Sequence, residues 1–304
     1  MDIPKFVESY FSENYVQKIE DPTFKQKGVS VSILRCDLIH PELSGNKWFK
    51  LKYNLLAANQ AGCKTLLSFG GAWSNHIHAL AASGKLFGFK TIGVIRGEIA
   101  ELSKSNACLA DASANGMLLH AVTRAEYRYK ESTEFIEDLH KQFGDFFLIP
   151  EGGANLEGIK GCAEILQLFQ SEAFDKICLA CGTGTTLAGL LTATKSDVLG
   201  FQVLKGEHYL QQQVNGLLAH YALSAKADWS ILDNYHCGGY AKTTPVLLEF
   251  INSFQQQTGI PLEPIYSGKM LYGIYALIQQ GFFPEGSRIL AIHGGGLQGR
   301  RGFS

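Results

Sequence analysis

The sequence has little charge and no excess of either sign. Of its 304 residues 18% are charged, and 27 lysines and arginines stand against 28 aspartates and glutamates. Because proteins that bind nucleic acid or acidic membranes normally carry a basic excess, neither partner is expected. Hydrophobic residues make up 46% of the chain, which predicts a large interior in one large or two moderate domains.

Long apolar runs are also missing. The first residues, MDIPKFVESYFSEN, contain neither a basic stretch nor an apolar one, so no signal peptide is expected. No stretch approaches the length of a membrane-spanning helix. These absences predict a cytoplasmic protein without a membrane partner.

The cysteines do not form a metal-binding pattern. Seven are scattered along the chain, and only Cys178 and Cys181 form a C-x-x-C pair, within KICLACGTG. That segment is typical of an apolar strand followed by a glycine turn, and no second cysteine or histidine pair lies at zinc spacing. We predict buried, reduced thiols and no metal.

Aliphatic runs alternate with helical patterns along the chain, which predicts βαβ units and an α/β fold with a largely parallel sheet. Strands are predicted at 31–36, 65–69, 90–96, 117–122, 146–150, 176–180, 197–203 and 287–293. Helices are predicted at 47–60, 74–87, 103–114, 124–142, 156–170, 185–194, 207–219, 245–257 and 268–280.

Four turns that follow predicted strands are rich in Gly, Ser, Thr and Asn. They are SFGGAWSNHIHALAA (68–82), IPEGGANLEGIKG (149–161), CLACGTGTTLAGLL (178–191) and IHGGGLQGR (292–300). Ligands of parallel sheets bind at the carboxyl ends of strands, and glycines let a backbone approach them. Capping or tight packing would explain any one turn, whereas several converging on one crevice would indicate a binding site.

The third turn contains a candidate phosphate loop, formed by Gly182, Thr183, Gly184, Thr185 and Thr186. Its amides and hydroxyls would face an anion at the start of the next helix. Leu187 replaces the third glycine of a dinucleotide fingerprint, and the Gly-Lys-Ser/Thr of a P-loop is missing. A single phosphate monoester therefore fits better than a nucleotide.

Lys47 follows a Gly-Asn turn at the start of a predicted helix, in LSGNKWFKLKYNLLAA (43–58). Lys50 and Lys52 lie in the same run, and most lysines in proteins are solvated. A phosphate cradle without nucleotide motifs, together with an early lysine, suggests pyridoxal 5'-phosphate. That cofactor needs one phosphate site and one amine that bonds its aldehyde.

Five segments stand in the order and approximate spacing of one enzyme family. They are LSGNKWFKLKYNL, FGGAWSNHIHALAA, IPEGGANLEGIKG, ACGTGTTLAGL and PIYSGKMLYGIYALIQQGFFPEGSRILAIHGGG. Over roughly residues 15 to 300 the chain resembles the 1-aminocyclopropane-1-carboxylate (ACC) deaminase and D-cysteine desulfhydrase family, fold-type-II pyridoxal-phosphate enzymes similar to tryptophan synthase β.

The resemblance implies two open, twisted, mostly parallel sheets flanked by helices. The cofactor would lie in a cleft between a large domain, residues 1–50 and 155–304, and a small inserted domain, residues 51–154. It also implies a homodimer that acts on a small amino-acid substrate.

The resemblance further assigns roles to matching residues. Lys47 would bond the cofactor and later carry a proton at the substrate. Ser74 would hold the substrate carboxylate or assist proton transfer, and Asn75 would hydrogen-bond the phenolic oxygen of the cofactor. Residues 182–186 would hold the phosphate.

Tyr240 and Tyr266 match two tyrosines that the family places on the substrate side of the ring, although packed aromatics are the alternative interpretation. A tyrosine near a lysine ammonium can have a lowered pKa, which would suit it to proton transfer or nucleophilic work.

Two departures from the family pattern bear on the substrate. Ser267 stands where ACC deaminases have glutamate and desulfhydrases have a hydroxyl residue, and Gly294 stands where desulfhydrases have threonine. Without the carboxylate, the pyridine nitrogen that Ser267 would contact is less firmly protonated, and the ring is a weaker electron sink.

The sequence therefore favours β-elimination from D-cysteine, with ACC deamination as the alternative. A cofactor-binding protein without turnover and a phosphosugar or nucleotide enzyme that uses the same loop also stay open.

Overall fold

Two sheets, both mostly parallel, form the framework of the computed structural model, which describes residues 3, 15–43, 45–97, 106–168 and 173–303. The six-stranded sheet has the order β1-β2-β10-β7-β8-β9, and the four-stranded sheet has the order β5-β4-β3-β6. Among the described strands β1 alone is antiparallel to its neighbour. The strands are β1 Val16–Ile19, β2 Ser30–Arg35, β3 Thr65–Gly70, β4 Lys90–Arg96, β5 Met117–Val122, β6 Phe147–Ile149, β7 Lys176–Cys181, β8 Asp197–Gln202, β9 Trp229–Leu232 and β10 Arg288–His293.

Helices cover the faces of both sheets, so the predicted fold class is confirmed. The described α-helices are α1 Pro22–Gln26, α2 Asn46–Gln60, α3 Asn75–Phe87, α4 Ala107–Ala114, α5 Thr133–Phe143, α6 Leu156–Ala163, α7 Thr185–Leu191, α8 Tyr209–His220, α9 Pro245–Thr258 and α10 Ser267–Gln279.

All eight predicted strands are present, with ends that differ by at most one residue. The sequence pattern misses the helix α1 and both edge strands of the six-stranded sheet, β1 and β9. β1 has three exposed residues out of four, and β9 is also only four residues long. Such short, half-solvated strands lack the alternation of apolar and polar residues on which a strand prediction depends.

Two predicted helices are divided. In place of one helix over 124–142 there is a 3-10 turn, Glu126–Tyr129, followed by α5, because Ser132 accepts a hydrogen bond from the Phe135 amide and starts a new helix. The helix predicted over 156–170 ends at Ala163 and continues as a 3-10 turn. Residues 103–105 of the helix predicted over 103–114, residues 169–170 of the helix predicted over 156–170, and Ser44 lie outside the described residues.

Close helix packing positions the start of α2. A side chain at Gly161 of α6 would overlap the carbonyl of Phe49 in α2, and one at Gly189 of α7 would lie 2.5 Å from Cys162 in α6. The small residues therefore bring three helices into contact, and Trp48 and Phe49 join the hydrophobic core between the two sheets. This packing holds the first turn of α2 beside the glycine loop before α7.

The four-stranded sheet is built from residues 65–149, and the six-stranded sheet comes from segments before and after it. This arrangement agrees with an inserted small domain, although the boundaries at 50 and 154 remain a prediction. Within the described part of the chain, no helix combines the length and hydropathy that crossing a membrane requires.

All seven cysteines are free thiols, and Cys178 and Cys181 are buried in β7. Cys63 and Cys237 are partly exposed, so burial holds for five of the seven.

Candidate active site

The four glycine-rich turns follow β3, β6, β7 and β10 and open onto one cavity of about 390 Å³ between the two sheets. The start of α2 forms a further wall. The convergence expected from the sequence is therefore present. Ten of the eleven predicted site residues line the cavity: Lys47, Ser74, Asn75, Gly182, Thr183, Gly184, Thr186, Tyr240, Tyr266 and Ser267. Thr185 lies behind this wall, with its Oγ1 atom 3.1 Å from the Oγ1 atom of Thr183.

The Lys47 amine is held at the cavity wall by a chain of hydrogen bonds. Its Nζ donates to Asn46 Oδ1 at 2.6 Å, and Asn46 Nδ2 donates to Thr186 Oγ1 at 3.0 Å. Burial, and then the nearby Lys50 ammonium, lower the pKa of Lys47 from 10.5 to about 7. A substantial fraction of the amine is therefore neutral near pH 7, which suits a nucleophile or a base.

Lys50 is a site residue that the sequence interpretation missed. Its side chain is buried, it lines the cavity, and its Nζ lies 3.5 Å from Thr183 Oγ1. Burial lowers its pKa, because an ammonium without an anion is costly in the interior. The signal was available: Lys50 follows Lys47 by three residues, which places both on one face of the helix.

His76 borders the same wall as an uncharged ring. Burial, followed by the charges of Lys50 and Lys47, lowers its pKa to about 3. Its Nε2 lies 2.9 Å from Ser68 Oγ, whereas its buried Nδ1 has no hydrogen-bond partner among the described residues. The cavity wall thus carries the buried Lys50 amine beside Thr183, which suits an anionic ligand, and a buried ring nitrogen of His76 without a hydrogen-bond partner among the described residues.

Ser74 and Asn75 are arranged as hydrogen-bond donors. Ser74 caps α3 by accepting from the Ile77 amide at 3.3 Å, which leaves its hydroxyl proton to donate. Asn75 Oδ1 accepts from Gln298 Nε2 at 2.9 Å, so the amide nitrogen of Asn75 is the group that remains to donate to a ligand.

Tyr240 and Tyr266 lie together, with ring centroids 6.2 Å apart in an edge-to-face arrangement. The Lys47 Nζ is 5.9 Å from the centre of the Tyr266 ring. The expected lowering of the tyrosine pKa is wrong. Burial raises the pKa of Tyr240 to about 12 and that of Tyr266 well above its usual value, so both phenols keep their protons at neutral pH.

Ser267, the first residue of α10, contacts a carboxylate that the sequence interpretation also missed. Glu263 is completely buried and accepts hydrogen bonds from the backbone amides of Ile265, Tyr266 and Ser267 at 2.5 to 3.0 Å. The Ser267 hydroxyl donates to the same carboxylate at 2.9 Å. No local pattern reveals this contact, because Glu263 caps the helix from four residues before its start.

The turn after β10 contacts the turn before Lys47. Gly45 has a φ of 59°, and a side chain there would overlap the carbonyl of Gly294. A side chain at Gly294 would instead lie 3.4 Å from Asn46, at ordinary contact distance. A threonine at position 294 would thus face the residue that binds the Lys47 amine.

Comparison with known proteins identifies the family. Residues 18–295 match the family model described as pyridoxal-phosphate dependent enzyme. The chain therefore belongs to the pyridoxal-phosphate-dependent enzymes, and its cofactor is pyridoxal 5'-phosphate. Its relatives in that family are the ACC deaminases and D-cysteine desulfhydrases.

Three relatives show the range of names. The chain is 30% identical over 295 residues to a bifunctional D-cysteine desulfhydrase/1-aminocyclopropane-1-carboxylate deaminase of Arabidopsis thaliana, covering 90% of this chain and 73% of that protein. It is 31% identical over 288 residues to a putative ACC deaminase of Pyrococcus horikoshii, covering 90% and 87%. It is 28% identical over 292 residues to a D-cysteine desulfhydrase of Klebsiella pneumoniae, covering 88% and 87%.

Among solved structures, the crystal structure of an ACC deaminase homologue superposes with a TM-score of 0.77 at 27% identity, covering 98% of this chain and 95% of that chain. The fold is accordingly that of the fold-type-II enzymes.

The cavity fits this cofactor. A phosphate would find the buried Lys50 and the hydroxyl of Thr183, and an aldehyde would find the Lys47 amine with its lowered pKa. The donors on Ser74 and Asn75 suit the oxygens of a substrate and of the ring.

Proposed function

We propose that this enzyme converts D-cysteine into pyruvate, ammonia and sulfide by β-elimination. The observation that carries the proposal is the buried tyrosine pair beside the Lys47 amine, whose Nζ lies 5.9 Å from the centre of the Tyr266 ring, and burial raises the pKa of both phenols. The proposal rests further on Ser267, which matches the hydroxyl residue of desulfhydrases, and on relatives named D-cysteine desulfhydrase.

The bound cofactor supplies an electron sink that stabilises negative charge at the substrate α-carbon. Lys47 acts as the base for the α-proton, because its pKa near 7 leaves the amine partly neutral. Ser74 binds the substrate carboxylate with its hydroxyl, and the Asn75 amide donates to the ring oxygen. Lys50 neutralises part of the phosphate charge with help from residues 182–186.

The tyrosine pair donates a hydrogen bond towards the leaving sulfur. A sulfur leaving group departs more readily when a hydrogen bond stabilises the negative charge that develops on it, and a phenol that keeps its proton can donate that bond. A nucleophilic attack by tyrosine on a cyclopropane would instead need a phenolate. The raised pKa values of Tyr240 and Tyr266 therefore favour elimination over ring opening.

ACC deamination is the second candidate, because relatives carry that name either alone or together with desulfhydrase activity. If this chain opened the cyclopropane, 2-oxobutanoate would be the keto acid. The inserted-domain boundaries, a homodimer and a cytoplasmic location remain proposals beside either activity.

A leaving-group comparison tests the hydrogen-bond role of the tyrosines. The variant Tyr266→Phe should slow pyruvate formation from D-cysteine far more than from β-chloro-D-alanine, because chloride is a weaker base than hydrosulfide and gains less from a hydrogen bond. Tyr272→Phe, which packs against a separate hydrophobic cluster, is the matched control and should affect neither. Equal losses on both substrates would contradict the hydrogen-bond role.

A substrate panel tests the reaction itself. Keto-acid formation should be fastest with D-cysteine or β-chloro-D-alanine and slow with ACC and the L-amino acids. Faster turnover of ACC than of every D-amino acid would make deamination the function. Borohydride reduction followed by peptide mapping should place the pyridoxyl adduct on Lys47, and an adduct on Lys50 or Lys52 would contradict the assigned site.

A further inference from the structure

Glu263 is a buried carboxylate with several hydrogen bonds but no counter-charge in contact. Its oxygens accept from three backbone amides and from the Ser267 hydroxyl. Among the described residues, no cationic side chain forms an ion pair with it. The nearby Lys269, also buried, donates instead to the carbonyl of Gly239. Buried charges are normally paired, whereas this carboxylate has no cation in contact, and the charges of Lys47 and Lys269 act on it only through space.

The contacts of Ser267 determine which way its hydroxyl points. The hydroxyl oxygen accepts from the Glu263 amide at 3.1 Å. Its proton has two acceptors within reach, the Glu263 carboxylate at 2.9 Å and the Glu263 carbonyl at 3.4 Å, and the shorter bond to the charged group is the stronger one. A hydroxyl has one proton and two lone pairs. One lone pair therefore remains on Ser267, at a residue that lines the cavity.

We propose that Glu263 is a positioning residue that orients Ser267 as a hydrogen-bond acceptor towards the cofactor's pyridine nitrogen. This inference rests on the proposed function only in placing Ser267 at that nitrogen. A neutral pyridine nitrogen is itself an acceptor and would compete for the Ser267 proton with a carboxylate. Because hydrogen bonds to an ionised acceptor are about twice as strong as neutral ones, the carboxylate keeps the proton.

The nitrogen must then be protonated in order to bind Ser267. Its positive charge would lie one hydroxyl away from Glu263 and supply the missing counter-charge, and the polarised hydroxyl would be the stronger acceptor for it. This outcome is the reverse of the weakly protonated ring expected from Ser267 alone. ACC deaminases have a carboxylate in place of Ser267. Here the carboxylate of Glu263 would act on the nitrogen through the Ser267 hydroxyl.

Nitrogen-15 NMR of the holoenzyme tests the proposal directly. The protein is reconstituted with cofactor labelled at the pyridine nitrogen, whose resonance moves far upfield on protonation. We expect the wild type to show the protonated position. Ser267→Ala and Glu263→Gln should both shift the resonance towards the unprotonated position, and Ser267→Thr, which keeps the hydroxyl, should retain the wild-type shift. A purely structural role of Glu263 as the cap of α10 would not move this signal.

Each outcome has a definite meaning. An unprotonated nitrogen in the wild type overturns the proposal, as does a protonated nitrogen that is unchanged in Ser267→Ala. If the resonance leaves the protonated position in Ser267→Ala but keeps it in Glu263→Gln, the role of Glu263 is overturned. Should Glu263→Gln fail to fold, Ser267→Ala still tests the proposal. It leaves the backbone hydrogen bonds of Glu263 in place, and a Ser267 that accepts from the nitrogen must give its own proton to Glu263. The proposed function fails separately, through a keto-acid assay without turnover of D-cysteine.

Discussion

The Lys269 Nζ donates a hydrogen bond of 2.7 Å to the carbonyl oxygen of Gly239, the residue before Tyr240. Lys269 is completely buried in α10, two residues beyond Ser267. The segment that it holds is strained, since Cys237 and Ala241 have φ values of 52° and 54°, in a region that side chains rarely adopt. The position of Tyr240 therefore depends on a lysine outside the cavity.

The first prediction is that Lys269→Met reduces turnover without unfolding the protein. Methionine fills a similar volume and removes a buried charge, so the melting temperature should change little. A hydrogen bond from a charged group contributes about 1.5–3 kcal/mol, and its loss from the Tyr240 segment should lower kcat/KM for D-cysteine on the order of tenfold. The exposed Lys242→Met in the same segment is the control. Unchanged kinetics in Lys269→Met would show that the segment is held by other contacts.

The second prediction concerns Lys50 and the phosphate. Lys50→Gln removes the buried cation beside Thr183, so cofactor affinity, measured by titration of the apoenzyme, should fall on the order of tenfold or more, as expected for a charge-assisted hydrogen bond. Lys64→Gln, an exposed lysine just before β3, should bind the cofactor normally. An unaltered dissociation constant for Lys50→Gln would place the phosphate elsewhere.

The third prediction compares two glycines with left-handed backbone. Gly45 has a φ of 59° and Gly62 a φ of 70°, so alanine at either position strains the backbone, and the ψ of −131° at Gly45 lies outside even the left-handed helical region that side chains occasionally adopt. A side chain at Gly45 additionally overlaps the Gly294 carbonyl, whereas one at Gly62 meets nothing within 4 Å. Gly45→Ala should therefore lose cofactor and activity, and Gly62→Ala should lose only stability. Equal effects in both variants would mean that the turn tolerates displacement.

The fourth prediction follows from the lowered pKa of Lys47. Between about pH 7 and 10.5 the unfolded chain holds a proton that the folded apoenzyme lacks, so the contribution of this group to stability increases with pH across that window. Lys47→Met removes the titration. Its apoenzyme should melt above the wild type at the lower end of the window, with a gap that narrows as the pH rises. The exposed Lys195→Met should show no such trend, and a pH-independent gap would contradict the lowered pKa.

Local patterns predict much of the framework of this enzyme. Buried parallel strands such as β4 and β7 are continuous apolar runs, and glycines mark the turns at their carboxyl ends, so the site could be placed at those turns. Ser74 lies between a glycine turn and a helical pattern, a position that favours a serine cap, and it caps α3. These features depend on neighbouring residues, which is why the sequence reveals them.

Features that depend on distant contacts could not be predicted in this way. The pKa of Tyr266 follows from how deeply it is buried, and a spacing pattern carries no information on depth. Gln298 reaches Asn75 through a tertiary contact alone, and the Glu263 cap of α10 is local but has no capping signature in the sequence. A glutamate at position 267, suggested by comparison with ACC deaminases, would stand beside Glu263, so a variant that looks conservative in sequence would place two carboxylates together.

The position of β10 has a consequence for biosynthesis. This strand lies between β2 and β7 near the centre of the six-stranded sheet, yet it is the last strand in chain order. A ribosome must therefore deliver His293 before that sheet can close, whereas residues 65–149 of the four-stranded sheet emerge much earlier. Until then β2 and β7 present unpaired edges, which can pair with other chains. Polypeptides released before β10 would be targets for chaperones and proteases.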